Sequence, residues 1–250
     1  MSRQLKLGVN IDHVATLRQA RYSTMLDSPN AEPSLLTAIE VCEKAGADSI
    51  TVHFRADRRH IQDRDVFEIR EKISTKMNLE LGDTPEIVAI ALDVKPDFVC
   101  LVPESREEIT TEGGLNVIEC GEALKKTIGR FQEAGILVSL FVDPDEGQIA
   151  ASAGTGADMV ELHTGTFANA DINGGDVELL KLIESSKLAN DMNLQVNAGH
   201  GITMTNLEKV LKVPHLAELN VGHHLVSQSV IHGLRQTVED MLSAMEAYSP

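Results

Sequence analysis

The feature that most constrains the fold is an eightfold alternation of short β-rich runs with longer stretches of helical periodicity. The predicted strands cover residues 5–11, 49–53, 76–80, 97–102, 136–141, 158–163, 194–198 and 217–221. Several are almost continuously apolar, which is typical of parallel strands covered by helices. Amphipathic segments lie between them, at 34–46, 84–94, 176–191 and 223–248. This pattern predicts an α/β fold, a (β/α)8 TIM barrel that forms one domain over residues 1–250 with some extra helical segments.

The composition narrows the partners and the compartment. A net charge of −16 argues against nucleic acid or an anionic membrane as the main partner, because both require a positive field. The three cysteines show no CxxC spacing, which favours a reducing cytoplasm. Neither an N-terminal apolar leader nor a run of 18 apolar residues is seen. We therefore expect a soluble, cytoplasmic protein.

Polar and titratable residues follow nearly every predicted strand. In a TIM barrel, the carboxyl ends of the strands and the loops after them carry the chemistry. The residues at these ends are Asn10, Asp12, His13, His53, Arg55, Glu80, Thr110, Thr111, Asp143, Glu161, His163, Asn197, His200, Asn220, Gly222 and His223. Gathering ionisable groups on one rim costs free energy of folding, because some of them lose their hydration. Such a cluster is typical of groups that bind or react with a substrate, so the pattern predicts an active site there.

Two carboxylates on the strands have open interpretations. Glu80 is flanked by apolar residues, so its pKa could be raised into a range useful for proton transfer, or it could pair with Arg55. Glu161 precedes His163 by two residues and faces the same side of its strand. It could lie against His53 or an arginine, in a structural or a catalytic role.

Four segments are candidates for binding anions, donating a proton or gating the site. The segment 51–66 gathers four arginines and two histidines in an acidic chain, and Gly222 and His223 open the last predicted helix. Backbone amides at a helix N-terminus suit a phosphate group. His200 stands between two glycines, either as an exposed general acid or as a solvated turn residue. Residues 103–116 could form a mobile lid.

Several absences restrict the chemistry. No lysine stands at the end of a predicted strand, which disfavours a Schiff-base aldolase. No HxH, HExxH or GxGxxG motif is present, so neither a metal nor an organic cofactor is predicted. A scattered metal site remains as an alternative, with the ligands His53, Glu80, His163 and His200.

Six segments of the chain resemble the pyridoxine 5′-phosphate synthase family. They are residues 8–21, 51–66, 77–80, 101–115, 196–202 and 219–224. The resemblance implies a TIM barrel that condenses 1-deoxy-D-xylulose 5-phosphate with 3-amino-2-oxopropyl phosphate. The products would be pyridoxine 5′-phosphate, inorganic phosphate and water, in vitamin B6 biosynthesis. Because the amine belongs to a substrate, such a reaction needs no catalytic lysine, metal or coenzyme.

The resemblance also implies roles for individual residues. The proton acceptors would be His53 and Glu80, the proton donor His200, and the stabilising carboxylate Glu161. The amino-ketone phosphate would be bound by Asn10, Gly201, Gly222 and His223. The deoxyxylulose phosphate would be bound by Asp12, His13, Arg55, His60 and Thr110. Arg21 would join the substrate pocket and can reach a neighbouring subunit, which implies a homo-oligomer.

Two other functions remain open on the sequence. A metal-dependent aldolase or epimerase could use the same barrel. A phosphosugar-binding protein without catalysis could use the same anion sites, but it would leave the carboxylate of Glu80 unexplained. The arginines of segment 51–66 that alternate with aspartates are expected to form charge pairs on the surface. They are Arg58, Arg59 and Arg64.

Overall fold

The eight strands form a closed parallel barrel in which each pairs with the next along the chain and the last pairs with the first. This computed structural model describes residues 5–25, 27–104, 113–170 and 175–249. The strands are β1 (Lys6–Asn10), β2 (Ser49–His53), β3 (Lys76–Leu81), β4 (Phe98–Leu101), β5 (Leu137–Val142), β6 (Met159–His163), β7 (Gln195–Gly199) and β8 (Leu216–Val221). The predicted barrel is confirmed, and every predicted strand ends within one residue of an observed boundary.

The helices return the chain from one end of the barrel to the other. The described residues contain α1 (Asp12–Tyr22), α2 (Leu35–Ala45), α3 (Asp63–Lys72), α4 (Pro85–Val94), α5 (Val117–Glu133), α6 (Glu146–Thr155), α7 (Gly165–Ala170), α8 (Asp176–Asp191), α9 (Leu207–Val210), α10 (His223–His232) and α11 (Leu234–Met245). None of them is long and apolar enough to cross a membrane.

Local sequence explains where several helices begin and end. The Ser34 hydroxyl accepts a hydrogen bond from the backbone N–H of Thr37 at the start of α2. Gly46 ends that helix in the left-handed conformation, at φ 102°, and Pro85 occupies the first turn of α4. The predicted segment 223–248 is two helices instead of one. Gly233, at φ 83° and ψ 144°, leaves the helical conformation and separates α10 from α11.

The inside of the barrel carries a buried polar network as well as apolar side chains. Ser49 donates to Glu218 at 2.9 Å, and Thr51 donates to the Asn220 side-chain oxygen at 3.1 Å. All four residues are buried. Gly8 makes room for them, because a Cβ atom there would lie 2.0 Å from Oδ1 of Asn220. These hydrogen bonds satisfy polar groups that would otherwise be costly to bury, and they support the residues at the rim above.

Candidate active site

The predicted site residues gather at, or just inside, the carboxyl-terminal rim of the barrel. The described residues brought together there are Asn10, Asp12, His13, His53, Arg55, His60, Glu80, Glu161, His200, Gly201, Gly222 and His223. Thr110 lies outside the described residues, and so do residues 105–112 of the predicted lid. Arg21 is the exception, as described below.

The ends of β1 and β8 meet on one side of the rim. Asn10 holds the residue that opens α1, since its side chain accepts from the N–H of Asp12 at 2.9 Å and donates to its carboxylate at 2.8 Å. A Cβ atom on Gly222 would lie 3.0 Å from Cβ of Asn10, so glycine permits this close approach. Nδ1 of His13 lies 3.2 Å from Nδ1 of His223, at the first turn of α10. The predicted helix N-terminus at Gly222 and His223 is therefore confirmed.

Asp12 also ties β1 to the residues that follow β2. Its Oδ1 accepts from the backbone N–H of His53 at 2.8 Å and lies 3.8 Å from Nδ1 of His60. Burial lowers the pKa of His60, and the charges of His53 and Arg55 lower it further, against the opposing effect of Asp12. One face of the rim thus holds a carboxylate between two histidines.

The spacing of these groups bears on the metal alternative. Within the described ranges, the only group with ligand atoms at metal-binding spacing is Asp12, His53 and His60, whose atoms lie within 4.8 Å of one another. Both Asp12 oxygens already accept hydrogen bonds, and Nδ1 of His60 accepts from the N–H of Ile61 at 2.9 Å. The ligand set considered from the sequence, which included Glu80, is not gathered there.

Arg55 is the buried cation of this face, with 3% of its surface exposed. Its Nε donates to Asp57 at 3.4 Å. The neighbouring arginines form the predicted charge pairs nearer the surface, Arg58 with Asp63 at 3.0 Å and Arg59 with Asp57 at 2.6 Å. Arg55 therefore differs from its neighbours in holding a positive charge beside the rim rather than at the surface.

Glu80 occupies the same level of the barrel as His53, its register partner on β2. Burial raises the pKa of the Glu80 carboxyl well above its usual range, and the charges of Glu161 and Asp12 raise it further. The alternative pairing with Arg55 is not among the ion pairs of the described residues. A carboxylate with a raised pKa is a stronger base than an ordinary one, which suits Glu80 to accepting a proton.

Glu161 lies inside the barrel with 3% of its surface exposed. Burial raises its pKa to about 7, the charge of Glu218 adds to that effect, and a hydrogen bond from Asn220 at 2.6 Å opposes it. A Cβ atom on Gly199 would lie 2.2 Å from Oε1 of Glu161, so the carboxylate needs that glycine. The pairing with His53 or an arginine that the sequence suggested is not formed in the described part of the chain.

The pKa of Glu161 predicts a pH-dependent stability. A carboxyl whose pKa is about 7 in the folded state and near its ordinary value when unfolded destabilises the fold as pH rises from about 4.5 through 7. Glu161→Gln should therefore be more stable than the wild type at pH 8, by about 1–3 kcal/mol, and equally stable at pH 4. Urea unfolding at both pH values measures this, with exposed Glu208→Gln as the control. Equal effects at both pH values would contradict it.

His200 stands in the turn after β7. His200 and Gly201 both have left-handed backbones, with φ of 77° and 78°. The His200 ring packs edge-on against His163, with centroids 5.0 Å apart. Burial, together with the charge of the neighbouring His163, lowers the pKa of His200 to about 4. His200 is thus half-buried against a second histidine, which differs from the solvated turn residue considered from the sequence.

Comparison with known proteins identifies the family. Residues 7–247 match the family model described as "Pyridoxal phosphate biosynthesis protein PdxJ". The chain belongs to this family. It is 52% identical to a pyridoxine 5′-phosphate synthase from Akkermansia muciniphila over 244 residues, 97% of this chain and 99% of that protein. It is 50% identical to one from Photobacterium profundum over 236 residues, 94% of each chain. The resemblance found in the sequence is confirmed.

Solved structures show the fold of this PdxJ family member in more distant proteins. The tryptophan synthase A-subunit of Pyrococcus furiosus matches with a TM-score of 0.62 at 14% identity, covering 97% of this chain and all of that one. A phosphoribosyl anthranilate isomerase from Thermus thermophilus matches with a TM-score of 0.58 at 15% identity, covering 98% of each. At these identities the likeness supports the TIM-barrel fold alone.

Glu104 is a rim residue of this PdxJ family member that the sequence analysis missed. It follows β4 and accepts hydrogen bonds from Nε2 of His53 at 3.2 Å, from the N–H of Ala56 at 3.1 Å and from the N–H of Gly82 at 3.1 Å. Burial alone would raise the pKa of Glu104, but these hydrogen bonds leave it lowered. A carboxylate two residues past a predicted strand was the available signal, but the residue fell within the predicted lid.

Arg21 lies apart from the other predicted site residues of this family member. It is exposed in the last turn of α1, with its guanidinium 5.7 Å from the Tyr22 ring. It lies nine positions along the helix from Asp12, which corresponds to about 14 Å along the helix axis. Within one chain, the fold therefore directs Arg21 away from the rim.

Proposed function

We propose that the protein is a pyridoxine 5′-phosphate synthase, a transferase-type enzyme that condenses 1-deoxy-D-xylulose 5-phosphate with 3-amino-2-oxopropyl phosphate. The reaction releases pyridoxine 5′-phosphate, inorganic phosphate and water, and belongs to vitamin B6 biosynthesis. The observation that carries the proposal is the placement of Glu80 and His53. They are in register on neighbouring strands, at the same rim as the two proposed anion sites.

The proton-transfer roles follow from the environments of the acids and bases. Glu80, whose pKa is raised well above its usual range, is the first proton acceptor, since such a carboxylate is a stronger base than an exposed one. His53 is the second, held by Asp12 through its backbone and by Glu104 through its ring. A positioned group of this kind contributes about 10²–10⁴-fold in rate.

The two phosphate groups are assigned to separate sets of residues on the rim, one at the start of α10 and one after β2. The amino-ketone phosphate is bound by the backbone amides at the start of α10, Gly222 and His223, together with Asn10 and Gly201. The sugar phosphate is bound by the buried Arg55 and by His60, with Asp12, His13 and Thr110 contributing. Separate sites place the amine of one substrate against the carbonyl of the other, and orientation of this kind lowers the barrier to condensation.

His200 and Glu161 serve later steps. His200 has a pKa of about 4 in the free protein, so it gains a proton when an anionic substrate arrives beside it, and it then donates to the leaving group. Glu161 has a pKa of about 7 and lies deep in the barrel, where its ionised form stabilises positive charge that develops on the imine nitrogen.

The proposal extends to the assembly and the setting of the reaction. Residues 1–250 act as one catalytic domain in the cytoplasm, without a metal or an organic cofactor. The protein is a homo-oligomer in which Arg21 reaches the substrate pocket of a neighbouring subunit. Its exposure at the far end of α1 supports this arrangement.

The direct test supplies both substrates to the purified protein in the presence of a chelator. We expect pyridoxine 5′-phosphate, measured by absorbance after chromatography, and equimolar phosphate release. Calorimetry establishes that both substrates bind under the same conditions. Binding without product would refute the synthase and leave a phosphosugar-binding protein. Activity that the chelator abolishes and a divalent ion restores would favour the metal-dependent alternative.

Glu104→Gln tests the support of His53. The amide retains the size of the side chain but loses the negative charge that accepts the hydrogen bond from the His53 ring. A hydrogen bond to a charged group contributes about 1.5–3 kcal/mol, so kcat should fall about 10- to 100-fold while KM changes little. Steady-state kinetics measure this, with Glu122→Gln on the exposed face of α5 as the control. A change in KM alone would indicate that Glu104 shapes the binding site and does not act through His53.

A further inference from the structure

A second pair of a histidine and a carboxylate lies on the other side of the rim, between β5 and β6. Nδ1 of His163 lies 2.9 Å from Oδ1 of Asp143, and the His163 ring is buried while the carboxylate is half exposed. We propose that Asp143 and His163 form a positioning pair that orients the His200 ring and opposes a positive charge on it. The inference rests on the proposed function, because the pair acts on the reaction through His200.

The hydrogen bond to Asp143 decides which face of His163 is turned towards His200. Asp143 is an acceptor, because the hydrogen bond from His163 lowers its pKa and the N–H of Gly114 also donates to it. The proton on His163 is therefore held at Nδ1, and Nε2 is left on the opposite edge of the ring. The histidine is fixed in one tautomer and one orientation by a carboxylate that is itself held in place.

Gly165 shows how closely the two rings approach. A Cβ atom at this position would lie 2.4 Å from Nε2 of His163 and 2.8 Å from Cδ2 of His200. Only glycine leaves room for both rings, whose planes meet at 68°. The His200 backbone is held as well, because the Thr164 hydroxyl donates to its carbonyl oxygen and its φ is 77°. The free edge of His163 and the ring of His200 are thus in fixed contact.

Among the described residues, few charged groups face His200. His163 contacts it from β6, and Asp143 lies behind His163 on the β5 side. Glu161 lies against Gly199, the residue before His200, and His224 at the start of α10 accepts from the N–H of Met204. Burial of the His200 ring opposes its protonation, and so does the charge of the neighbouring His163. His200 therefore stays neutral in the free protein and becomes protonated only when a substrate supplies negative charge.

The test is a titration of the His200 ring by NMR of histidine-labelled protein without substrate. In His163→Asn, His200 should titrate at clearly higher pH than in the wild type, because the neighbouring positive charge is gone. The exposed His232→Asn is the control and should leave the titration unchanged. A His200 titration that is the same in His163→Asn and the wild type would overturn the proposal. Since no turnover is needed, the result does not depend on whether the synthase reaction occurs.

Kinetics provide the second readout. Asp143→Asn keeps the His163 ring and removes the charge that orients it, so kcat should fall about 10- to 100-fold with KM within a few-fold of the wild type. The half-exposed position of Asp143 makes this the safer variant for folding. If His163→Asn does not fold, the kinetics of Asp143→Asn test the proposal alone. An unchanged kcat in that variant would overturn the proposed positioning role of the pair. If the wild type binds both substrates and forms no product, the synthase function is refuted, and the NMR titration still tests the pair.

Discussion

Glu80→Gln is expected to lower kcat by about 10²–10⁴-fold while the dissociation constants of both substrates stay within a few-fold of the wild type. Glutamine preserves the size of the side chain and removes the base. The charges of Glu161 and Asp12 that raise the pKa of Glu80 act on the carboxylate and not on an amide, so the substitution also relieves repulsion in the barrel. Stopped-flow or steady-state kinetics give kcat, and calorimetry gives the two affinities.

The pH profile adds a readout that a purely structural role would not produce. A base must be ionised, so kcat/KM of the wild type should fall as pH is lowered through the raised pKa of Glu80. The residual activity of Glu80→Gln should lack that limb. Glu86→Gln, an exposed position on α4 six residues along the chain, is the matched control. An unchanged kcat in Glu80→Gln would remove this residue from the catalytic set.

Asp65→Asn is expected to destabilise the protein by about 3–5 kcal/mol, with a fall in Tm on the order of 10 °C. Asp65 lies in the first turn of α3 and forms a buried two-point ion pair with Arg18 of α1, at 2.8 Å and 2.6 Å. The same arginine donates to the backbone oxygen of His60 at 3.2 Å. The substitution leaves the buried guanidinium without a compensating charge, and it loosens the segment that carries His60.

The control for Asp65→Asn lies in the same turn of α3. Asp63 pairs with Arg58 at 3.0 Å, but its side chain is 54% exposed, so Asp63→Asn should cost less than about 1 kcal/mol. Urea and thermal unfolding at equal protein concentration compare the two variants with the wild type. A similar small loss in both would mean that the buried pair contributes no more than a surface one. The affinity for the sugar phosphate should weaken only in Asp65→Asn.

The partners of Asp65 and Arg64 could not be predicted from the sequence. Alternating arginines and aspartates after β2 predicted surface charge pairs, and this is confirmed for Arg58 and Arg59. Asp65 instead pairs with Arg18, 47 positions away, and Arg64 pairs with Asp27. Local alternation identifies partners that are neighbours in the chain. It contains no information about an arginine on another helix that packs against the same turn.

The sequence by itself determined the barrel and the chemistry available at its rim. Apolar runs of strand length and intervening amphipathic segments leave few alternatives to a closed parallel barrel, because each strand must be covered on its outer face. In that fold, any polar residue just past a strand faces the same rim, so Glu80, His53 and His200 could be named from their positions in the chain.

Only the tertiary structure decided which of these groups act on one another. Glu104, which follows β4, is hydrogen-bonded to His53 of β2, and Asp143, which follows β5, is hydrogen-bonded to His163 of β6. Such contacts between strands depend on the register and the tilt of the strands. The pKa values depend on burial and on charges that converge from strands distant in sequence, as for Glu80 beside Glu161. The order of residues along the chain determines which side chains lie at the rim. The distances of a few ångströms between those side chains are set by packing, and they determine which groups are protonated.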